Sequence, residues 1–107
     1  MKLKTTELQG PALDWAVAKC EQGDFMDETW WADFSHESCY STDWAQGGPI
    51  IEREMISIEW TGEDWMAYIW HDEEFFASRP LIAAMRCYVA SKLGEEIEVP
   101  IELLEAA

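Results

Sequence analysis

Between Ser41 and Glu54 the stretch STDWAQGGPIIERE collects the side chains best suited to hold a small polar ligand. Asp43 and Gln46 accept and donate hydrogen bonds, and Trp44 offers a stacking face. Gly47 and Gly48 let backbone N–H groups approach a bound molecule closely. Arg53, with Arg86 further along the chain, would meet an anionic group, because the planar guanidinium bonds carboxylate or phosphate through two parallel hydrogen bonds. A nucleotide-like anion is the small ligand that this set would suit. The plainer reading of the same residues is an ion pair between Asp43 and Arg53 or Arg86 that holds the segment together, with Trp44 filling the core.

Other constellations carry less chemistry. His36 and Cys39 stand three apart, but a single H-x-x-C lacks the four ligands that zinc usually takes, so neither metal nor cofactor is expected. The run His71-Asp72-Glu73-Glu74 could bind a divalent ion or relay a proton, yet acid–base work needs fixed geometry and a shifted pKa, and such a run reads more simply as a solvated turn. Cys87 has no histidine near it in sequence and belongs to no triad pattern. The chain is therefore read as acting by binding, not as an enzyme.

Charge narrows the partners. Twenty-two acids against seven Lys and Arg give a formal charge of −15 over 107 residues, well beyond the magnitude of about 2 to 8 that solubility asks of a small domain. Between Cys20 and Ser78 there are fifteen acids and one base, Arg53. Phosphate contacts depend on Lys and Arg, so direct nucleic-acid binding is excluded, and anionic lipid would be repelled. A negative field steers basic proteins toward the chain, and its seven tryptophans exceed what so small a core needs. This points to an acidic, Trp-rich interaction protein, with nucleic-acid-binding proteins as natural targets because carboxylates would stand where phosphates sit. The plainer alternative is an acidic coat that keeps an aromatic-rich protein soluble.

The length fits one domain, residues 1–107. Cys20, Cys39 and Cys87 cannot all pair within one chain, and the opening MKLKTTELQ lacks a signal peptide's apolar run, so a reducing cytoplasm is expected. No stretch of 18 apolar residues predicts a membrane span.

The elements that must position these residues follow from periodicity. Residues 2–8 read as a short strand. Pro11–Gln22 reads as a helix that opens on proline, buries Leu13, Ala16, Val17 and Cys20, and is capped by Gly23. Residues 24–40 read as irregular, with a short strand at 28–32. Gly47-Gly48-Pro49 predicts a turn within a loop over 41–54, since proline disfavours the α region for Gly48. Ile56, Ile58 and Trp60 alternate with polar residues, Thr61–Asp64 has turn composition, and WMAYIW returns the chain. A hairpin over Met55–Trp70 is expected, with Trp60 against Trp65. Its second strand is apolar on both faces, which allows a homodimer. HDEEFFASRP reads as a connection with Phe75 and Phe76 tucked inward. Pro80–Leu93 reads as a second helix with Ile82, Met85, Val89 and Leu93 buried and Gly94 beyond its end, and residues 97–99 as an edge strand. The fold class is α+β: a small, mainly antiparallel sheet with two helices on one face.

The segments DWAVAKCE, STDWAQGGPIIERE and PLIAAMRCYVASKLGEE together resemble the NinX-like family of small lambdoid phage proteins. The resemblance implies a phage accessory product acting in the cytoplasm of an infected bacterium. The partner would then be a host or phage protein, such as a defence protein. It implies no activity of any kind, the function of the family being unassigned.

Overall fold

The computed structural model describes residues 1–22, 39–70 and 73–99. In chain order these form β1 (Lys2–Lys4), a 3-10 turn (Thr5–Glu7), α1 (Gly10–Gln22), α2 (Trp44–Glu54), β2 (Ile56–Trp60), β3 (Trp65–Ile69), β4 (Phe75–Ala77), α3 (Pro80–Leu93) and β5 (Glu96–Glu98). The class is α+β, with three helices and two antiparallel sheets among the described residues. One sheet has the order β2-β3-β4 and the other joins β1 to β5.

The hairpin forms in the expected register. Ile56 faces Ile69, Ile58 faces Ala67, and Trp60 faces Trp65. The Trp60 and Trp65 rings lie 5.3 Å apart and tilted by 58°, a favourable edge-on approach for two quadrupoles. The turn between them is pinned by Thr61, whose hydroxyl donates to Asp64 Oδ1 at 2.8 Å and accepts from the Asp64 N–H at 3.1 Å. Beyond the hairpin the expected connection is partly a third strand: β4 pairs with β3, placing Phe75 against Ala67 and Phe76 against Met66. Strand alternation then sends Phe75 into the core and Phe76 outward, so only the first of the two phenylalanines is buried.

The core lies between this sheet and the helices. α3 packs on all three strands, on α1 and on α2. From Leu81 to Val89 only Ile82 and Arg86 are other than buried; of the expected stripe Met85 and Val89 are buried while Ile82 and Leu93 are half-buried, because the apolar surface runs nearly all round this central helix. α1 is similar: Ala12, Leu13 and Trp15 to Ala18 are all buried, while Cys20 is half-buried. Trp15 covers the edge of the core with Lys19 Nζ above its ring, 5.1 Å from the centroid.

The expected loop over 41–54 is a helix for eleven of its fourteen residues, and α2 is the third helix. Three local facts outweigh Gly-Gly-Pro. Asp43 caps the helix, its carboxylate accepting the Ala45 N–H at 2.9 Å. Gly48 has no Cβ to clash with the Pro49 ring, which weakens the usual penalty on the residue before proline. Gly47, Ile50, Ile51 and Glu54 recur at helical spacing on the inward face. Gly47 is also required by packing: a Cβ there would stand 2.6 Å from Leu81 Cδ1 and 2.6 Å from the Tyr40 carbonyl oxygen. The helix ends at Met55 in the left-handed conformation (φ 55°, ψ 48°) that normally takes glycine.

The terminal strands pair with each other, although the first is shorter than the expected 2–8, since Thr5–Glu7 turns as a 3-10 helix. Leu3 faces Ile97 across β1 and β5, and the Met1 ammonium donates to the Val99 carbonyl at 2.8 Å. The Gly23 cap, the strand at 28–32, His36, His71 and Asp72 lie outside the described residues.

Candidate functional site

The residues singled out by type fall on three separate parts of the molecule. Asp43, Trp44, Gln46, Gly47 and Gly48 form the lead-in and first turns of α2. Asp43 is occupied as the cap, and Gln46 Oε1 accepts the Cys39 N–H at 2.8 Å, closing the lead-in on itself. Gly47 is filled on its open side by Leu81, whereas nothing stands within 4 Å of a Cβ placed on Gly48. Trp44 is not core: it is 52% exposed.

Arg53 lies ten residues beyond Asp43, about 15 Å along the helix axis at 1.5 Å per residue. It pairs with neither Asp43 nor an open cleft. Its Nη1 and Nη2 donate to Glu21 Oε1 and Oε2 at 3.1 and 2.8 Å, and its Nε donates to Glu54 Oε2 at 2.9 Å. Nη2 also reaches the Tyr88 hydroxyl at 3.2 Å, and that hydroxyl donates to Glu21 Oε2 at 2.6 Å. Four of the five guanidinium donors are thereby engaged, and the fork that would take a phosphate already holds a carboxylate. Lys92 completes the cluster, its ammonium 3.2 Å from Glu54. One side chain from α1, two from α2 and two from α3 are thus joined.

The electrostatics agree with this geometry. Burial pushes the Glu21 carboxyl upward, but the hydrogen bonds from Arg53 and Tyr88 outweigh it and hold the group below its ordinary range. Glu54 is lowered by its hydrogen bond from Arg53, despite some burial, with Lys92 adding to the effect. Arg53 is raised by its bonds to the two carboxylates, and Tyr88 is raised by burial and by its bond to Glu21. The shifts of Glu21, Glu54 and Arg53 follow the hydrogen bonds that join them, and that of Tyr88 follows burial first and its bond to Glu21 second.

Arg86 stands elsewhere. It precedes Tyr88 by two residues on α3, hence about 200° around the helix. Its Nε donates to the Leu8 carbonyl at 2.6 Å and its Nη1 to the Phe76 carbonyl at 2.8 Å. Burial lowers its pKa. Arg53 and Arg86 therefore tie down opposite flanks of α3 and do not meet over one ligand.

Two groups escaped sequence reasoning. Asp14 accepts both the N–H and the hydroxyl of buried Ser41, at 2.9 and 2.8 Å, fastening α1 to the lead-in of α2. Burial raises its carboxyl despite those bonds. A polar residue on a helix face gave no signal of this role. The second group is Met55 with Trp70. They flank the last hairpin pair, Ile56 and Ile69, and each is 80% exposed and left-handed at φ 55°. Strand alternation places the outward sheet face, with Glu59, Met66, Tyr68 and Phe76, beside them. The Tyr68 hydroxyl donates to Glu59 Oε1 there, at 3.1 Å.

Among the described residues no cluster of three or more His, Cys, Asp or Glu is arranged to hold a metal, and no helix is long and apolar enough to cross a membrane. None of the three cysteines is in a disulfide.

No curated protein matches the chain. The family model described as bacteriophage P22 NinX matches residues 4–92, a span that holds α1, α2, the three-stranded sheet and α3 up to Lys92. With most of its length matched, this chain belongs to the NinX family of phage proteins.

Proposed function

We propose that this phage accessory protein acts in the cytoplasm of the infected bacterium by binding a host or phage protein, and that it does so without catalysis. The observation that carries this reading is the Met55–Trp70 pair. Two large apolar side chains, one beyond each strand end of the Ile56–Ile69 pair, are both 80% exposed. Both are also held in a backbone region that costs an ordinary residue roughly 1–2 kcal/mol. Exposed aromatics are the residues that most often dominate interface energy, and local strain retained on a surface is commonly tied to function.

Charge supports a basic partner. From Met55 to Ser78 the sequence holds six acids and no Lys or Arg, so the field around the hairpin favours approach by positive surfaces. A nucleic-acid-binding protein, including a defence protein, has the required chemistry. The carboxylates with displaced pKa, Glu21, Glu54 and Asp14, are accounted for by pairing or burial within the fold, which is why a catalytic role is not proposed for them.

The test is affinity capture from infected cells with the wild-type chain and with a Met55→Gly, Trp70→Ser variant. A specific basic protein held by the wild type, weakened by salt and lost from the variant is the expected result. Equal retention by both chains, or none by either, would defeat the reading.

A further inference from the structure

A cavity of about 230 Å³ opens where the three-stranded sheet, α3 and the α3–β5 turn meet. Ile69, Phe75, Cys87 and Ala90 supply apolar lining, and Ser91, Gly94, Glu73 and Glu95 belong to the lining as well. Both glutamates are exposed, while Cys87 and Phe75 are buried. A second space of about 250 Å³ shares Glu73 and Glu95 and is otherwise lined by Lys4, Thr5, Thr6 and Glu96. Thr5 is 1% exposed, and its N–H and hydroxyl are both spent on the Glu95 carbonyl, at 2.8 and 3.2 Å. That fixes the backbone of the shared wall by carrying the β1–β5 pairing one residue further.

An apolar compartment therefore adjoins a polar one, and the residues common to both are two carboxylates. An apolar cavity of about 150 Å³ suffices for benzene, so the first compartment has room for one small ring or a short alkyl chain. Among the described residues no Lys or Arg lines it. The second is lined by one lysine, Lys4, and three glutamates, Glu73, Glu95 and Glu96, of which Glu96 is also drawn toward Lys2 at 4.0 Å. The residual charge is negative, which disfavours an anion and favours a cation carrying hydrogen-bond donors.

We propose that the two spaces form one binding site for a small amine with an apolar group, the apolar group seated among Ile69, Phe75, Cys87 and Ala90 and the ammonium at Glu73 and Glu95. None of its lining residues belongs to the α2 segment, and it selects the charge opposite to the one that an arginine-based site would select.

Benzylammonium, benzyl alcohol and benzoate test it, since they share a ring and differ in charge. In a two-dimensional NMR titration, benzylammonium is expected to shift the amides of Ala90, Ser91 and Gly94 saturably. The alcohol should bind about tenfold more weakly and benzoate not at all. A Glu73→Gln, Glu95→Gln variant, altered only at exposed positions, should keep its spectral dispersion and reduce benzylammonium affinity by about tenfold, to that of the alcohol. No saturable shift at those amides in the wild type would overturn the proposal. So would equal binding of cation and alcohol, or an unchanged affinity in the variant.

Discussion

Arg53 closes on Glu21 through two parallel hydrogen bonds of 3.1 and 2.8 Å, across 32 residues of sequence. The sole base of the acidic middle is thereby committed to the fold, and with Tyr88 it locks the end of α1 to α2 and α3. The pair is partly exposed, the Arg53 side chain by 50% and that of Glu21 by 21%, so solvent screening limits its worth. Arg53→Ala and Glu21→Gln are each expected to cost about 1 kcal/mol. In a double-mutant cycle by urea denaturation the two losses should not add, because each removes the same contact. Full additivity would contradict the geometry.

Residues two apart on α2 should respond with opposite sign. Gly47→Ala forces a methyl into Leu81 and the Tyr40 carbonyl and should destabilise by about 1–2 kcal/mol, even after the gain in helix propensity. Pro49→Ala restores an N–H inside the helix and frees the exposed position from its ring, for an expected gain of roughly 1–3 kcal/mol. Thermal midpoints of the two variants would move apart on either side of the wild type.

Met55 occupies the left-handed position where α2 gives way to β2. Met55→Gly removes a steric cost of about 1–2 kcal/mol and adds a backbone-entropy cost of about 0.5–1 kcal/mol. A small net stabilisation is therefore expected by chemical denaturation. A loss in stability would mean that the methionine side chain is itself holding the junction.

Acid should act in two phases. Asp14 has a raised folded pKa, so the folded state takes up its proton first and gains relative stability as pH falls toward and through that value. Relief of repulsion in a chain of formal charge −15 adds to this. Glu21 and Glu54 have depressed folded pKa values, so the stability they contribute is fully present above their ordinary 4.5 and is lost as pH falls through the lowered values. Denaturation midpoints should therefore rise from neutral pH toward about 5 and collapse below about 4. Glu21→Gln should make the acid limb shallower.

Cys20 offers a simple check on packing at the end of α1. Burial, with the Glu21 charge beside it, pushes its thiol up to about 12, so alkylation at neutral pH should be much slower than in denatured protein. Rapid modification of native Cys20 would show that this end of the helix opens.

The parts legible in the sequence were those whose pattern agreed at every level. The hairpin combined period-2 alternation, a polar turn and flanking tryptophans. α3 combined proline at its start, glycine past its end and an apolar helical stripe. α2 was hidden because local chemistry and tertiary demand disagree there: Gly47 is present for the closeness of Leu81, which no single-chain pattern reveals, and the helix stops on Met55 without a glycine to mark it. β4 was hidden for a different reason, since three residues are too few to show a period. Of the site residues, Arg53 stood out by its isolation among acids, but its partner lay in another helix whose Glu21 looked like any surface carboxylate.

Between Leu81 and Val89, α3 is enclosed by a sheet and two helices, with Arg86 clamped to backbone on one flank and Tyr88 to Glu21 on the other. A helix so surrounded has little surface left for another protein to read. Divergence toward new partners must therefore be carried by the strands, turns and outer helices, while this axle tolerates change only when its neighbours change with it.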